Sequence, residues 1–187
     1  RRKIIGNAPC VTVDSAHVPS DYADLRSVPP EIYDVAYLCV PDHEKYELAQ
    51  YLASLGKHFL VEKPFLLKQQ EYESLQLLQK KMKTTIYVAY NHRFEPHIAA
   101  AKRILDSGEV GEIYTVSLSY GNGTAALVRA SPWRDTGLGV IVDLGSHLLD
   151  IVDFWWGLTG RDVDYVDARA LENQSYDHAI MRLSGSP

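Results

Sequence analysis

The chain has 187 residues, 46% hydrophobic and 23% charged, enough apolar material for one full core or two modest ones in an ordinary soluble globular protein. Its net charge of -5 is spread over interspersed residues of both signs with no long basic block, which argues against a nucleic-acid partner. No apolar run approaches the roughly 18 residues of a membrane span and no signal-like segment opens the chain, so neither membrane nor export is expected.

Cys10 and Cys39 have neither metal-ligand spacing nor the density of a secreted domain, which fits a reduced cytoplasmic setting and leaves a disulfide between them open. The chain begins at Arg1 in place of Met, a sign that the natural N-terminus lies further upstream.

Residues 1–34 offer a candidate strand at "PCVTVD" and a turn-rich connection marked by Pro19, Pro29 and Pro30. "VAYLCV" (35–40) is continuously apolar, as in a strand buried on both faces of a parallel sheet, and Pro41 ends it. "DHEKYELAQYLASLG" places Leu48, Ala49, Leu52 and Leu55 at helical spacing, with acids in its first turn and Gly56 as a stop. A second strand, "HFLV", follows at once. "KQQEYESLQLLQKKM" then predicts a helix with Tyr72, Leu75, Leu78 and Met82 on one side, before a third strand in "TTIYVA". This alternation is that of an α/β fold with a doubly wound parallel sheet. In such sheets ligands sit beyond the carboxyl ends of the strands, where Pro41, Glu62, Lys63 and Asn91 fall.

The pattern changes after Tyr90. A helix over "PHIAAAKRILDSG" precedes "EIYTVSLSY", "VDYVDARAL" and "DHAIMRL", three strand-like segments that suit a largely antiparallel open sheet in an α+β domain. The expected division is 1–90 and 91–187. Within "SPWRDTGLGVIVDLGSHLLDIVDFWWG", Ile141, Leu144, Leu148, Ile151, Val152 and Trp155 form an apolar helical stripe, and Asp143, His147 and Asp150 a polar one beside it.

Asp143 and His147 stand four apart on that predicted helix, and a carboxylate beside an imidazole makes a proton acceptor for an alcohol near neutral pH; a solvated surface pair has the same spacing. With Asp150 they also offer oxygen and nitrogen ligands to a divalent metal, although nothing nearby completes the shell, and no metal is expected. Lys63 is costly to desolvate at a strand end, and Glu62 relieves it only partly because neighbouring strand residues point to opposite faces. A ligand explains such a lysine better than a partly exposed ion pair. Asn91, His92 and Arg93 follow another strand end, where a loop cap is the plainer reading than contact with phosphate or substrate oxygens. His43 and His97 sit at helix starts and read as exposed, and the scattered tyrosines as packing and interface residues. No nucleophile elbow, phosphate-binding loop or Cys-rich knuckle occurs, against hydrolase, nucleotide-hydrolysing and zinc-module readings.

Three motifs in order, Glu62-Lys63-Pro64, the Asn-x-Arg-Phe-x-Pro run from Asn91 to Pro96, and the Asp-x-Gly-x-His run from Asp143 to His147, resemble the Gfo/Idh/MocA family of nicotinamide-dependent sugar and polyol oxidoreductases. The resemblance runs from about Asp34 to Leu183. It implies a Rossmann-type dinucleotide-binding domain, then a substrate-binding domain whose open sheet builds homodimers or homotetramers. It makes Lys63 the lysine near nicotinamide and substrate hydroxyl, His147 the general base, and Asp143 its partner. Val40, Pro41, Glu62, Lys63 and Asn91 would lie along NAD or NADP. The implied reaction is oxidation of a secondary alcohol of a sugar, nucleotide sugar or polyol, or its reverse.

The chain also departs from the family. Residues 1–34 lack the glycine-rich turn of the first βαβ unit, Lys45 stands where many members carry a histidine, and "TGLGV" is a thin glycine run. "MRLSGSP" closes the chain where further strands are usual, so an incomplete enzyme is expected. The rival functions are a cofactor-free binding or scaffold protein and a metal-assisted lyase or hydrolase using Asp143, His147 and Asp150. Asp14 is a weak candidate for the acid that reads the cofactor ribose.

Overall fold

A computed structural model describes residues 10–15, 18–132 and 134–185. The chain divides into two compact units, Arg1–Ala89 and Tyr90–Pro187. Among the described residues no helix is long and apolar enough to cross a membrane, and no disulfide joins Cys10 and Cys39.

In the first unit, β1 (Val35–Leu38), β2 (His58–Val61) and β3 (Ile86–Val88) form a parallel sheet in that order. The crossovers are α1 (Asp42–Ser54) and α2 (Gln69–Met82). Each helix forms where the sequence supplies both a buried stripe and its ends. α1 starts behind Pro41 with Asp42 and Glu44 in its first turn, and Gly56, at φ 71°, carries the chain out of it. The backbone N–H of Lys68 donates to the Glu71 carboxylate 2.8 Å away, closing the start of α2. Leu38, Phe59 and Val61 from the sheet meet Ala49, Leu52 and Ala53 of α1 and Leu75 of α2 in one core.

That core covers one face of the sheet only. Val35 is 65% exposed and Tyr37 46%, so β1 is not buried on both faces as its apolar run predicts, and it ends at Leu38 instead of Val40. Among the described residues α1 and α2 supply the covering layer, and the alternate side chains face away from it. "PCVTVD" also falls short of a strand. A single parallel bridge joins Val13 to Tyr22, and the part of the segment at Pro9, like the rest of residues 1–9, lies outside the described residues.

The second unit begins with a 3-10 turn, His92–Phe94, and α3 (Pro96–Ser107), started by Pro96 and ended by Gly108 at φ 73°. A short helix α4 (Ala125–Arg129) follows, then a π-helical segment, Ile141–Gly145, running directly into α5 (Ser146–Trp156). β4 (Asp162–Arg169) and β5 (His178–Ser184) close it as an antiparallel pair with an irregularity between Val163 and Tyr165. "EIYTVSLSY" is not a strand here. It has the alternation of one, but among the described residues no second strand pairs with it, and without a ladder its backbone stays irregular and mostly exposed.

Two carboxylates join segments of this unit that are distant in sequence. Asp150 on α5 receives both arms of the Arg93 guanidinium, Nε at 2.9 Å and Nη2 in a second short contact, while Arg93 also lies over the Phe154 ring. Asp135 accepts the backbone N–H of Ser175 at 2.7 Å, its hydroxyl at 2.8 Å and the N–H of Gln174 at 3.1 Å. This ties the β4–β5 loop to the segment entering α5. Gly139 completes the joint: at φ 50° a Cβ there would come within 2.2 Å of the Tyr176 carbonyl oxygen.

The Ser175 backbone N–H, with the other donors, holds the Asp135 carboxyl below the usual carboxylate range. A depressed native pKa contributes stability that is present above the unfolded value and lost as pH falls through the native one. The Asp135→Asn variant should therefore lose less stability than wild type between about pH 5 and pH 2, as read by chemical denaturation. Replacing Asp150 with Ala removes both charge-assisted hydrogen bonds from the Arg93 guanidinium and leaves the Asp153 carboxylate, at 3.9 Å, only loosely engaged with it. A loss of about 3 kcal/mol or more is expected in the same measurement, against a much smaller loss for the paired Arg93→Met, Asp150→Leu change.

Candidate active site

The strands of the first unit deliver their ends in register. Leu38 of β1 lies opposite Val61 of β2, so Val40-Pro41 and Glu62-Lys63 leave adjacent parallel strands on the same edge of the sheet. The backbone N–H of Glu62 donates to the Leu38 carbonyl at 2.9 Å, and that of Ala89 to Val61 at 2.8 Å, so β2 is tied on both sides up to its last residue. Beyond it come Glu62, Lys63 and Pro64, all half-buried, with a cis peptide before Pro64. Val40 is half-buried and Pro41 exposed.

Glu62 accepts a short hydrogen bond from the Tyr37 hydroxyl on the uncovered sheet face. Partial burial, and then that bond, raise the Tyr37 phenol above its ordinary pKa, so it stays a neutral donor. On the other side of the turn, Lys45 of α1 is 3% exposed, and its Nζ reaches the Pro64 carbonyl oxygen at 2.6 Å and Asp42 Oδ1 at 2.7 Å. Sequence reasoning marked Lys45 only as a departure from a family pattern. Its place on the buried stripe, four before Ala49 and seven before Leu52, was the available signal.

The ends of β1 and β2 present backbone beyond two adjacent parallel strands, the place where such sheets take a dinucleotide, and Lys63 follows β2 there. The pyrophosphate cradle is another matter: among the described residues from Cys10 to Val61 the only glycine is Gly56, at the end of α1.

In the second unit His147 is 6% exposed, and three rings meet it edge-on: His92 with centroids 4.6 Å apart, Tyr90 at 5.5 Å and Tyr120 at 6.1 Å. His92 Nδ1 lies 2.5 Å from Glu95 Oε1, which fixes the orientation of that ring. Tyr90 and Tyr120, read from the sequence as packing residues, thus line the imidazole, a role with no signal in their spacing. Asp143 sits in the π-helical segment just before α5, partly exposed, with Arg134 Nη2 3.7 Å from its Oδ2. Asn91 is exposed at the start of the 3-10 turn.

The polar stripe of Asp143, His147 and Asp150 is not one functional face. Asp150 is spent on Arg93, which equally removes Arg93 from the groups offered to a substrate oxygen. Among the described residues no cluster of three or more His, Cys, Asp or Glu side chains is arranged for a metal ion. His43 and His97 are exposed, His97 Nε2 lying 3.3 Å from Glu95 Oε2.

A family model described as "Oxidoreductase family, NAD-binding Rossmann fold" matches residues 7–90, and one described as "GFO/IDH/MocA C-terminal domain" matches residues 98–184. An uncharacterized oxidoreductase of Schizosaccharomyces pombe is 32% identical over 120 residues, covering 63% of this chain and 32% of that one. Levoglucosan dehydrogenase of Pseudarthrobacter phenanthrenivorans is 28% identical over 167 residues, 83% of this chain and 43% of that one. In fold, the chain is similar to an inositol dehydrogenase homolog from Azotobacter vinelandii solved with NADH and myo-inositol. The TM-score is 0.71 at 21% identity over 84% of this chain and 44% of that one. The chain therefore spans from about a third to less than half of the length of these proteins. Two matched domains in the family's own order, carried by a parallel sheet followed by an antiparallel one, make the chain a member of the Gfo/Idh/MocA oxidoreductases.

Proposed function

We propose that this chain forms part of an NAD(P)-dependent dehydrogenase that oxidises a secondary alcohol of a sugar, nucleotide sugar or polyol, or reduces the corresponding ketone. The observation that carries the reading is Lys63 at the end of a fully paired parallel strand, on the edge where such sheets take their ligands. The relatives support it: one is named for levoglucosan, and one neighbour was solved with NADH and myo-inositol.

NAD or NADP, held by Val40, Pro41, Glu62 and Lys63 of the first unit, would supply the hydride acceptor. His147 accepts the hydroxyl proton. Its burial among Tyr90, His92 and Tyr120 limits its orientations and excludes water from much of its surface. Asp143 balances the charge that His147 gains, and Lys63 stabilises the negative charge that develops on the substrate oxygen. Assembly into a homodimer or homotetramer through the β4–β5 sheet is part of the same reading. Val163, Tyr165, Val166 and Ile180 leave that sheet apolar and exposed.

The test is turnover with sugars, nucleotide sugars and inositols, followed by absorbance of reduced cofactor. Lys63→Ala and His147→Ala should each lower kcat/KM by about a hundredfold or more. Near-normal rates in both variants would refute the roles. Calorimetry with NAD and NADP separates a dehydrogenase from a cofactor-free binding protein: the first releases or absorbs heat with one of them, the second with neither.

A further inference from the structure

A lysine that is 3% exposed demands a reason. Removing an ammonium group from water is costly unless its protons find acceptors, and a methionine would fill much the same volume against Ala49 and Leu52 at less cost. Lys45 finds two acceptors of different kinds. Asp42, one turn earlier on α1 with its side chain 62% exposed, balances the charge at 2.7 Å. The other is a backbone carbonyl nineteen residues away in sequence, that of Pro64, at 2.6 Å. Pro64 has no N–H, so its carbonyl is its only backbone polar group, and Lys45 takes it.

The residue before that proline is Lys63. The ladder fixes the chain as far as Glu62, whose N–H still pairs with Leu38. Past that point the described residues 63–68 form no strand or helix. A charge-assisted bond at Pro64 pins the chain from the far side, so the backbone of Lys63 is held between two fixed points, one in the ladder and one on α1.

We infer that Lys45 is a positioning residue: by holding the Pro64 carbonyl oxygen it fixes the direction in which Lys63 leaves the end of β2. The inference rests on the role given to Lys63 above, and it concerns only contacts inside the first unit. Lys45 touches no reacting atom; it acts by limiting the orientations of the peptide that carries one.

The experiment compares Lys45→Met with wild type in the intact protein. Leu52→Val, a change in the same core that leaves the turn untouched, serves as the structural control. Without cofactor, hydrogen exchange read by mass spectrometry should be about tenfold or more faster in peptides covering 62–67, with 46–55 and 84–89 unchanged. In turnover, kcat should fall about tenfold or more while KM for the cofactor stays within about twofold. Leu52→Val should lower the thermal midpoint and show neither effect. Where Lys45→Met does not fold, Lys45→Gln, a neutral donor too short to span the same gap, is expected to show the same split.

Wild-type exchange across 62–67 overturns the inference. So does a uniform rise over the whole unit, because Lys45 would then be an ordinary core residue. Lys63→Met separates the two ideas. Turnover lost in Lys63→Met but kept in Lys45→Met overturns the positioning role alone. Turnover kept in Lys63→Met overturns the role of Lys63 and the catalytic part of this inference with it, whatever exchange shows.

Discussion

The register of β2 is the constraint on which the first unit turns. Phe59 and Val61 point into the core, 2% and 0% exposed, while His58 and Leu60 point the other way. Burial of each core side chain is worth about 1.5–3 kcal/mol. A slip of one residue would send both apolar groups out and bring His58, Leu60 and Glu62 in. The same slip would move the point at which Lys63 leaves the strand. Core packing and the place of that exit are therefore one choice, made by the alternation in "HFLVE" and enforced by strands on both sides.

The second unit solves a similar problem with charge. His147 lies in the first turn of α5, but His92 sits in a 3-10 turn and Asp143 in a π-helical segment, where no ladder fixes them. The Arg93–Asp150 clamp joins the turn to α5, and Trp155 Nε1, donating to the Ile98 carbonyl at 3.2 Å, joins α5 to α3. His92 and His147 flank the two ends of the clamp, each one helical turn or less from a clamped residue, so the edge-on contact between their rings follows from it. Asp135 does the same service for the entry to α5 by holding Ser175 and Gln174.

The elements legible in the sequence were those whose signal is local. Periodicity and end signals mark the helices at 42–54, 69–82 and 96–107, and the short runs "HFLV" and "HAIMRL" mark strands. Segment 112–120 shows the limit, since alternation states what a strand would bury and not whether a partner exists. Partnership across sequence was equally hidden. Arg93 and Asp150 are 57 positions apart, so Arg93 reads as part of a loop cap after a strand end and Asp150 as a third member of a polar stripe. Tyr90 and Tyr120 carry no spacing that announces an imidazole between them. The motif residues stood out by placement, Lys63 as a cation at the end of an apolar strand and His147 as an imidazole four residues after a carboxylate, and such placement is visible in one dimension.

The same reasoning explains why the least expected residues are charged. A buried ion pair is a poor source of stability, since apolar side chains of similar volume often serve as well or better. Lys45 and Asp150 are therefore not accounted for by the need to hold the fold together. What a charge supplies and a methyl group does not is direction: a carbonyl or a guanidinium bound at 2.6–2.9 Å has few orientations left, whereas an apolar contact tolerates sliding and rotation. Both residues apply that restraint beside an irregular stretch of backbone, one next to Lys63 and one on the helix of His147. Hydrophobic burial places the elements of this chain, and a few costly polar contacts set the angles at which its chemically useful side chains stand.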